Sequence, residues 1–328
     1  LRLMPEVSYG TALYYFTGSK AHNIAVRKIA VAKDLKINEY GVFRGPKRIA
    51  GRSEQELFAA VGLPYIPPEL REARGEIEAA RAGKLPVLIS LSDIRGDLHA
   101  HTDATDGHNT LITMVEAARA RGYEYLAITD HTRHVSVAHG LNAKQLLAQM
   151  RAIDKLNSKL KDFHVLKGTE VDILEDGSLD LPDSVLKQLD VVVAALHYNL
   201  ELPAAKQTAR ILKAFDNRYM HILAHPTARL INSRAEISAD MDKIYAAAAK
   251  SGVAMEINAN PDRLDLDDIQ AHAAHLAGCK LVISTDAHTT AGLDTMRFGI
   301  DQARRAWLEA GDVLNTLPYS RLLKALAR

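Results

Sequence analysis

Cysteine is almost absent: Cys279 is the single one among 328 residues. That excludes an internal disulfide framework and fits a reducing cytosol. No apolar run approaches the roughly 20 residues of a membrane span, and no signal-peptide pattern precedes the first motifs, so a cytoplasmic chain is expected. Without a GxSxG elbow or a paired Cys and His, a protein nucleophile is not expected. Without a GxxxxGK[ST] loop, neither is ATP use. The Gly-rich phosphate fingerprint of doubly wound sheets is also lacking. An initiator methionine is missing, since the chain opens on Leu1, and a fragment of something longer is expected. Net charge is only +1, yet residues 1–52 carry +7 and the remainder −6. This asymmetry suits either a polyanion-binding end or a solvated basic face.

What is present is a globular composition, 47% hydrophobic and 25% charged, enough for one large domain or two smaller ones. The densest chemistry lies in Gly96-Asp97-Leu98-His99-Ala100-His101-Thr102-Asp103-Ala104-Thr105-Asp106-Gly107. Ile94 to Ala100 reads as a buried strand running into a turn, so His99 and His101, two apart, share a face. Asp106 adds a carboxylate in the turn. Imidazoles with a carboxylate suit zinc, manganese or iron.

Three parts follow along the chain. Residues 1–70 mix patterns. Tyr9 to Phe16 is aromatic-rich and ends at Thr17-Gly18-Ser19, Lys20 to Leu35 has helical spacing, and Lys36 to Phe43 alternates like an exposed strand before a basic turn, Arg44 to Arg48. Ser53 to Val61 reads as a helix with Ser53 and Glu56 spaced as a capping box. Residues 71–93, charged and Ala-rich, read as a helix and a linker. From residue 94 to 328 the pattern is regular. Strands are predicted near 94–100, 125–129, 165–171, 191–196, 220–224, 253–257 and 281–284, with helices near 110–120, 143–160, 204–215, 235–250 and 267–277. This alternation predicts an α/β fold of parallel βα units. Seven strands over roughly 235 residues fit a distorted (β/α) barrel, which usually spans about 250 residues.

Polar residues sit at the carboxyl ends of these strands: His131 after 125–129, Glu170 in 165–171, His197 after 191–196, His225 after 220–224, and Asp286 and His288 after 281–284. In a barrel those ends surround one mouth, where such folds carry chemistry. With His99, His101 and Asp106 they make six histidines and three carboxylates, too many costly polar groups to belong to a core. A multinuclear metal site is expected. Arg229 and Arg263, in loops of the same rim, are the candidates for phosphate contact.

The motifs GDLHAHTDATDG, ITDH, the strand-end Glu170, LHYN, LAHP and STDAH resemble those of the polymerase-and-histidinol-phosphatase (PHP) domain. The resemblance implies that His99, His101, Glu170 and Asp286 hold one metal around an activated water and form the catalytic set. It implies a second metal at Glu170, His197 and His225, and a third at Asp106, His131 and His288. Ala228 stands where the family pattern has glycine. Upstream, Tyr15-Phe16-Thr17-Gly18-Ser19, Asn23, Arg27 and Asn38-Glu39-Tyr40 resemble the end of the palm and the thumb of family X DNA polymerases. By that resemblance Tyr15, Phe16, Gly18 and Ser19 line the incoming nucleotide, Asn23 and Arg27 face the minor-groove side of the nascent pair, and Arg2 pairs with Glu39. That family's catalytic carboxylates would precede Leu1, so this chain is not expected to polymerise alone.

Together these features resemble the C-terminal part of a bacterial family X polymerase whose PHP domain is a manganese- or zinc-dependent 3′-5′ exonuclease. Expected partners are DNA 3′ ends and gapped duplex, with dNTP in the full-length protein and no membrane. The chemistry agrees: a metal cluster stabilises the charge on attacking and leaving oxygens and lowers the pKa of a bound water toward roughly 7. Two alternatives remain, a small-molecule phosphatase of the histidinol phosphate type and a structural PHP domain without catalysis.

Overall fold

The computed structural model describes residues 3–327 and divides into two compact units, Leu1–Val87 and Leu88–Arg328.

In the first unit, helix α1 (Tyr9–Thr17) is followed by α2 (Lys20–Val31), whose Ser19 cap accepts from His22 N at 3.2 Å. The expected single strand from Lys36 is instead a hairpin. β1 (Lys36–Asn38) and β2 (Gly41–Arg44) pair antiparallel, because Asn38 Oδ1 accepts from Tyr40 N (3.0 Å) and turns the chain. The basic segment is correspondingly shorter as a turn, since β3 (Lys47–Ala50) already begins within it. Helix α3 (Glu54–Val61) is capped by Ser53, whose hydroxyl accepts from Glu56 N. The Glu56 carboxylate reaches past the cap residue to accept from Gly51 N and Arg52 N, both at 3.0 Å. Gly10 lets α1 touch this cap, since any Cβ there would collide with the Ser53 backbone. Buried Arg71 ties the unit together. It donates to Glu54 (2.5 Å) and the Ile66 carbonyl (2.9 Å), and its guanidinium packs 5.2–5.5 Å from the rings of Tyr14, Phe58 and Tyr65. A short helix, α4 (Glu76–Arg81), follows.

The second unit repeats strand and helix. In order come β4 (Gly96–Asp97), α5 (Leu111–Ala120), β5 (Tyr125–Ile128), α6 (Ala143–Asn157), β6 (His164–Asp172), α7 (Asp183–Leu186), β7 (Val191–Ala195), α8 (Ala204–Ala214), β8 (Ile222–Leu223), α9 (Met241–Ser251), β9 (Ala254–Asn258), α10 (Asp268–Leu276), β10 (Leu281–Ser284), α11 (Met296–Arg305) and α12 (Tyr319–Leu326). The strands form one parallel sheet in the order β10-β9-β8-β7-β6-β5-β4, and runs such as Val191–Ala195 are buried throughout, as parallel strands covered on both faces require. The sheet curls into a nearly closed seven-stranded barrel. Its two edges meet where His101 N donates to the Ala287 carbonyl (2.9 Å) and Asp286 N to the His99 carbonyl (3.0 Å). Lower on the same seam, fully buried Asn315 donates to the Gly96 and Ile283 carbonyls (2.9 and 2.8 Å) and accepts from Ile283 N. One apolar cluster fills the barrel, with Leu98, Leu166, Val193 and Val282 joined from the C-terminal segment by Leu314, Leu322 and Leu326. A larger cluster packs the helices onto the strands.

All seven predicted strands are present. Two helices are shorter than predicted, for local reasons. The Asn157 amide ends α6 by bonding both N and O of Val165. Residues 235–240 lie outside α9 because Ile237 N is bound by the Thr227 carbonyl and Asp240 serves as the cap, accepting from Lys243 N.

Candidate metal centre

Six of the seven barrel strands, all but β9, deliver a polar residue at the mouth. His99 and His101 follow β4 with ring centroids 5.1 Å apart, and Glu170 lies within β6, 1% exposed. Glu170 is the hub. Its Oε2 faces His131 Nδ1 (3.1 Å), His99 Nε2 (3.3 Å) and His101 Nε2 (3.5 Å), while Oε1 faces His225 Nε2 (2.9 Å) and His197 Nε2 (3.3 Å). Asp286 Oδ1 approaches His101 Nε2 (3.1 Å) and His99 Nε2 (3.6 Å). Asp106 Oδ2 lies 3.3 Å from His288 Nε2 and 3.4 Å from His131 Nε2.

Among the described residues, ligand atoms lying within 4.8 Å of one another fall into three groups. The first is His99, His101, Glu170 and Asp286, the four residues that the PHP resemblance implies for one metal. The second joins His131 to Glu170 and His197, with His225 attached through its contact to Glu170. The third contains Asp106, His131 and His288 with His101 added. His101 and His131 therefore each present their two ring nitrogens to different groups, which spacing in sequence does not reveal. Asp286 and His288 do not continue the extended backbone of β10. Asp286 has φ 54° and His225 has φ 28°, so both enter the site from left-handed turns.

The donor set fits divalent cations. His99 Nε2, His131 Nδ1 and both ring nitrogens of His101 are buried without hydrogen-bond partners, a costly state for polar atoms unless something coordinates them. Charge is arranged to match. Burial would raise the carboxyl of Glu170, yet His131, His99 and His197 hold it well below its ordinary range. Asp286 is likewise held well below by His99 and His101 against its burial. Burial and the neighbouring His131 lower His101 to about 4. Against their burial, His197 is raised to about 10 by Glu170 and Asp172, and His288 to about 9 by Asp106 and Asp286. Protons and cations thus compete for one set of donors.

In the first unit, a groove of about 560 Å³ is lined by Tyr15, Phe16, Gly18, Ser19, Asn23 and Arg27 among others. Arg27 packs 5.1 Å from the Tyr15 ring, and Asn23 Nδ2 donates to the Tyr15 carbonyl at 3.0 Å. Arg2 lies outside the described residues.

Residues 12–72 match the DNA polymerase beta thumb family, and residues 97–260, half of the chain, match the PHP domain family. The chain belongs to the PHP family. The PHP protein is 43% identical over 316 residues to the DNA polymerase/3′-5′ exonuclease PolX of Bacillus subtilis, covering 96% of this chain and 55% of PolX. It therefore spans about half the length of that relative. Over 233 residues it is 29% identical to a probable phosphatase of a Thermoanaerobacter species, covering 67% of this chain and 89% of the phosphatase. A solved candidate histidinol phosphatase from Listeria monocytogenes shares the fold, with a TM-score of 0.50 at 16% identity over 60% of this chain and 97% of that one.

Behind the PHP donors stands a second layer of acids that sequence reasoning missed. Glu256 on β9 accepts from His99 Nδ1 (2.8 Å), His225 N (2.7 Å) and Asn258 Nδ2 (3.1 Å). Asp172 lies 3.3 Å from His197 Nδ1. Asp130 accepts from Thr102 N (2.8 Å) and Thr105 Oγ1 (2.7 Å), which fixes the turn that presents Asp106. Asp97, raised to about 6 by burial, accepts from Thr285 and from His99 N. Such partners orient ligands and set which nitrogen faces the metal. Asp97 and Asp130 did carry a signal, each standing within two residues of a ligand histidine. The two candidate arginines part company. Arg263 lines the mouth, with Nε 3.4 Å from Asp286 and a buried Nη1 that has no hydrogen-bond partner. Arg229 is directed elsewhere: its guanidinium is taken up by the Arg263 and Leu264 carbonyls and by Asp267.

Proposed function

We propose that the chain is a metal-dependent phosphodiesterase that removes nucleotides from DNA 3′ ends in the 3′-5′ direction, as the PHP part of a gap-filling family X polymerase. Residues 1–70 are read as the palm end and thumb, 71–93 as a linker and 94–328 as the hydrolytic domain, working in the cytoplasm. Among the described residues no helix is long and apolar enough to cross a membrane. The observation that carries the reading is Glu170, whose two oxygens face five imidazoles in a chain that also has a polymerase-type thumb.

The three donor groups suit up to three ions, manganese favouring the carboxylates and zinc the imidazoles. Bound cations would supply Lewis acidity to water and to the phosphoryl oxygens. The protein's own residues do the rest. Glu170, Asp286 and Asp106 hold negative charge in the mouth, Arg263 offers its unpartnered Nη1 to a phosphate oxygen, and Glu256 and Asp172 fix the imidazole rings. The thumb groove and its basic surroundings retain DNA through backbone contacts, which position without reading sequence. A small-molecule phosphatase would have no use for that groove.

A time course on a 3′-labelled and a 5′-labelled oligonucleotide, with manganese, zinc or chelator, tests direction, substrate and cofactor together. Stepwise shortening from the 3′ end that chelator abolishes is expected. Turnover of histidinol phosphate with intact oligonucleotide would overturn the reading.

A further inference from the structure

The pocket over the donor atoms holds only about 200 Å³, below the roughly 300–1,000 Å³ of clefts that enclose a whole small ligand. A phosphate and part of its sugar fill it, so whatever else the terminal nucleotide carries must leave by the rim. Eight of the eleven lining residues are histidines, carboxylates or Arg263, and the three apolar ones, Val135, Val137 and Ala138, all come from one loop.

That loop is built to hold its shape. It begins directly after His131, three residues beyond the end of β5, and closes on itself, with Leu141 N donating to the His131 carbonyl (2.7 Å) and Gly140 N to that of Val135 (3.3 Å). Glycine is needed at 140, because a Cβ there would collide with the Thr132 carbonyl. His134 N is anchored on Asp180 (2.9 Å), and its ring meets that of Tyr198, next to His197, edge-on at 5.0 Å. Val135 and Ala138 are buried at 5% and 3%, yet Val137 at the tip is 83% exposed. A braced loop thus holds an aliphatic side chain in water beside an otherwise charged pocket.

We infer that loop 132–141 is a rest for the base of the 3′-terminal nucleotide, with the base lying on Val137 while its phosphate occupies the charged pocket. The inference rests on the nuclease reading. A base suits this surface because each of the four has an apolar face, so contact is tolerant of sequence. No hydrogen-bond readout is involved, and the wall favours a base over a sugar alone.

The test compares oligonucleotides ending in a normal 3′ nucleotide with ones ending in an abasic sugar, using the wild-type chain, Val137→Ser and Val137→Phe. Wild type should prefer the base-bearing end in kcat/KM by about tenfold, the scale of covering one valine side chain. Val137→Ser should erase most of that preference, and Val137→Phe should keep or enlarge it. Because Val137 is exposed, neither variant should shift the melting temperature. Equal kcat/KM for the two ends in the wild type, or a preference that Val137→Ser leaves intact, overturns the inference while the nuclease reading stands. No cleavage of either end by the wild type overturns both.

Discussion

Removing the Glu256 carboxylate should loosen the metal centre without touching a ligand. Three buried donors converge on this side chain, namely His99 Nδ1, His225 N and Asn258 Nδ2, and Glu256 itself is fully buried. It lies on β9 yet holds one ligand from β4 and one from β8. Glu256→Ala would leave the three donors without an acceptor, each omission costing about 1–3 kcal/mol when no water replaces it. Partial relaxation brings the whole loss to about 3–5 kcal/mol, the range seen when one member of a buried network is removed. Free to turn, His99 would no longer aim Nε2 at Glu170 and Asp286, and loss of such a partner typically weakens metal affinity about 10- to 100-fold. Glu256→Gln keeps shape and one acceptor oxygen, so its losses should be smaller in both measures. The assay is equilibrium manganese binding with thermal melting in chelator, which separates folding from ligation. If Glu256→Ala binds the same number of ions at wild-type affinity, His99 is aimed by something else and the reasoning fails.

Other outcomes are equally direct. His99→Ala or Glu170→Ala should abolish hydrolysis, and retention of duplex DNA on a filter should persist because the thumb is untouched; full nuclease activity in either variant would remove the metal assignment. Ala228, at φ 53° and fully buried, occupies a backbone that favours glycine, so Ala228→Gly should raise stability in denaturant melts by about 1 kcal/mol. His197 and His288 are raised to about 10 and about 9, so each ion bound near neutral pH should displace protons, and apparent metal affinity should climb with pH until those values are passed. Calorimetry in buffers of different ionisation enthalpy reads the released protons directly. With chelator present the signs separate. The raised imidazoles contribute stability in full below about pH 6.5, their unfolded value, and lose it as pH climbs through 9 and 10. The depressed Glu170, Asp286 and Asp106 contribute above about pH 4.5 and lose it in acid. Buried His101, lowered to about 4, contributes stability that is present above about pH 6.5 and lost as pH falls, so the stripped protein should melt highest near the upper end of the window from about pH 4.5 to 6.5.

The barrel was readable because strands such as Val191–Ala195 and Leu281–Ser284 are nearly continuous apolar runs bounded by polar loops, and the donor residues because histidines gather at the strand ends. The grouping of His99, His101, Glu170 and Asp286 came from the PHP resemblance, not from their spacing. Glu256 could not be singled out, since one acid inside Ala254–Asn258 resembles any other until the barrel brings β4 opposite. The left-handed turns at His225 and Asp286 escaped notice because neither residue is glycine. Arg229 and Arg263 look alike in sequence. Only folding shows that loop carbonyls claim the first and leave an Nη1 of the second free of hydrogen bonds. The hairpin at Asn38 was hidden by alternation that continues through the turn.

The seam between β4 and β10 has a bearing on synthesis. One cation cage draws His99 and His101 from the first strand of the barrel and Asp286 from beyond the last, and Asn315 stitches those two strands from further on still. A chain emerging from the ribosome can form its middle strands early, but it cannot close that cage until residue 315 is available. Ion capture must therefore wait until both edges of the ring have been made.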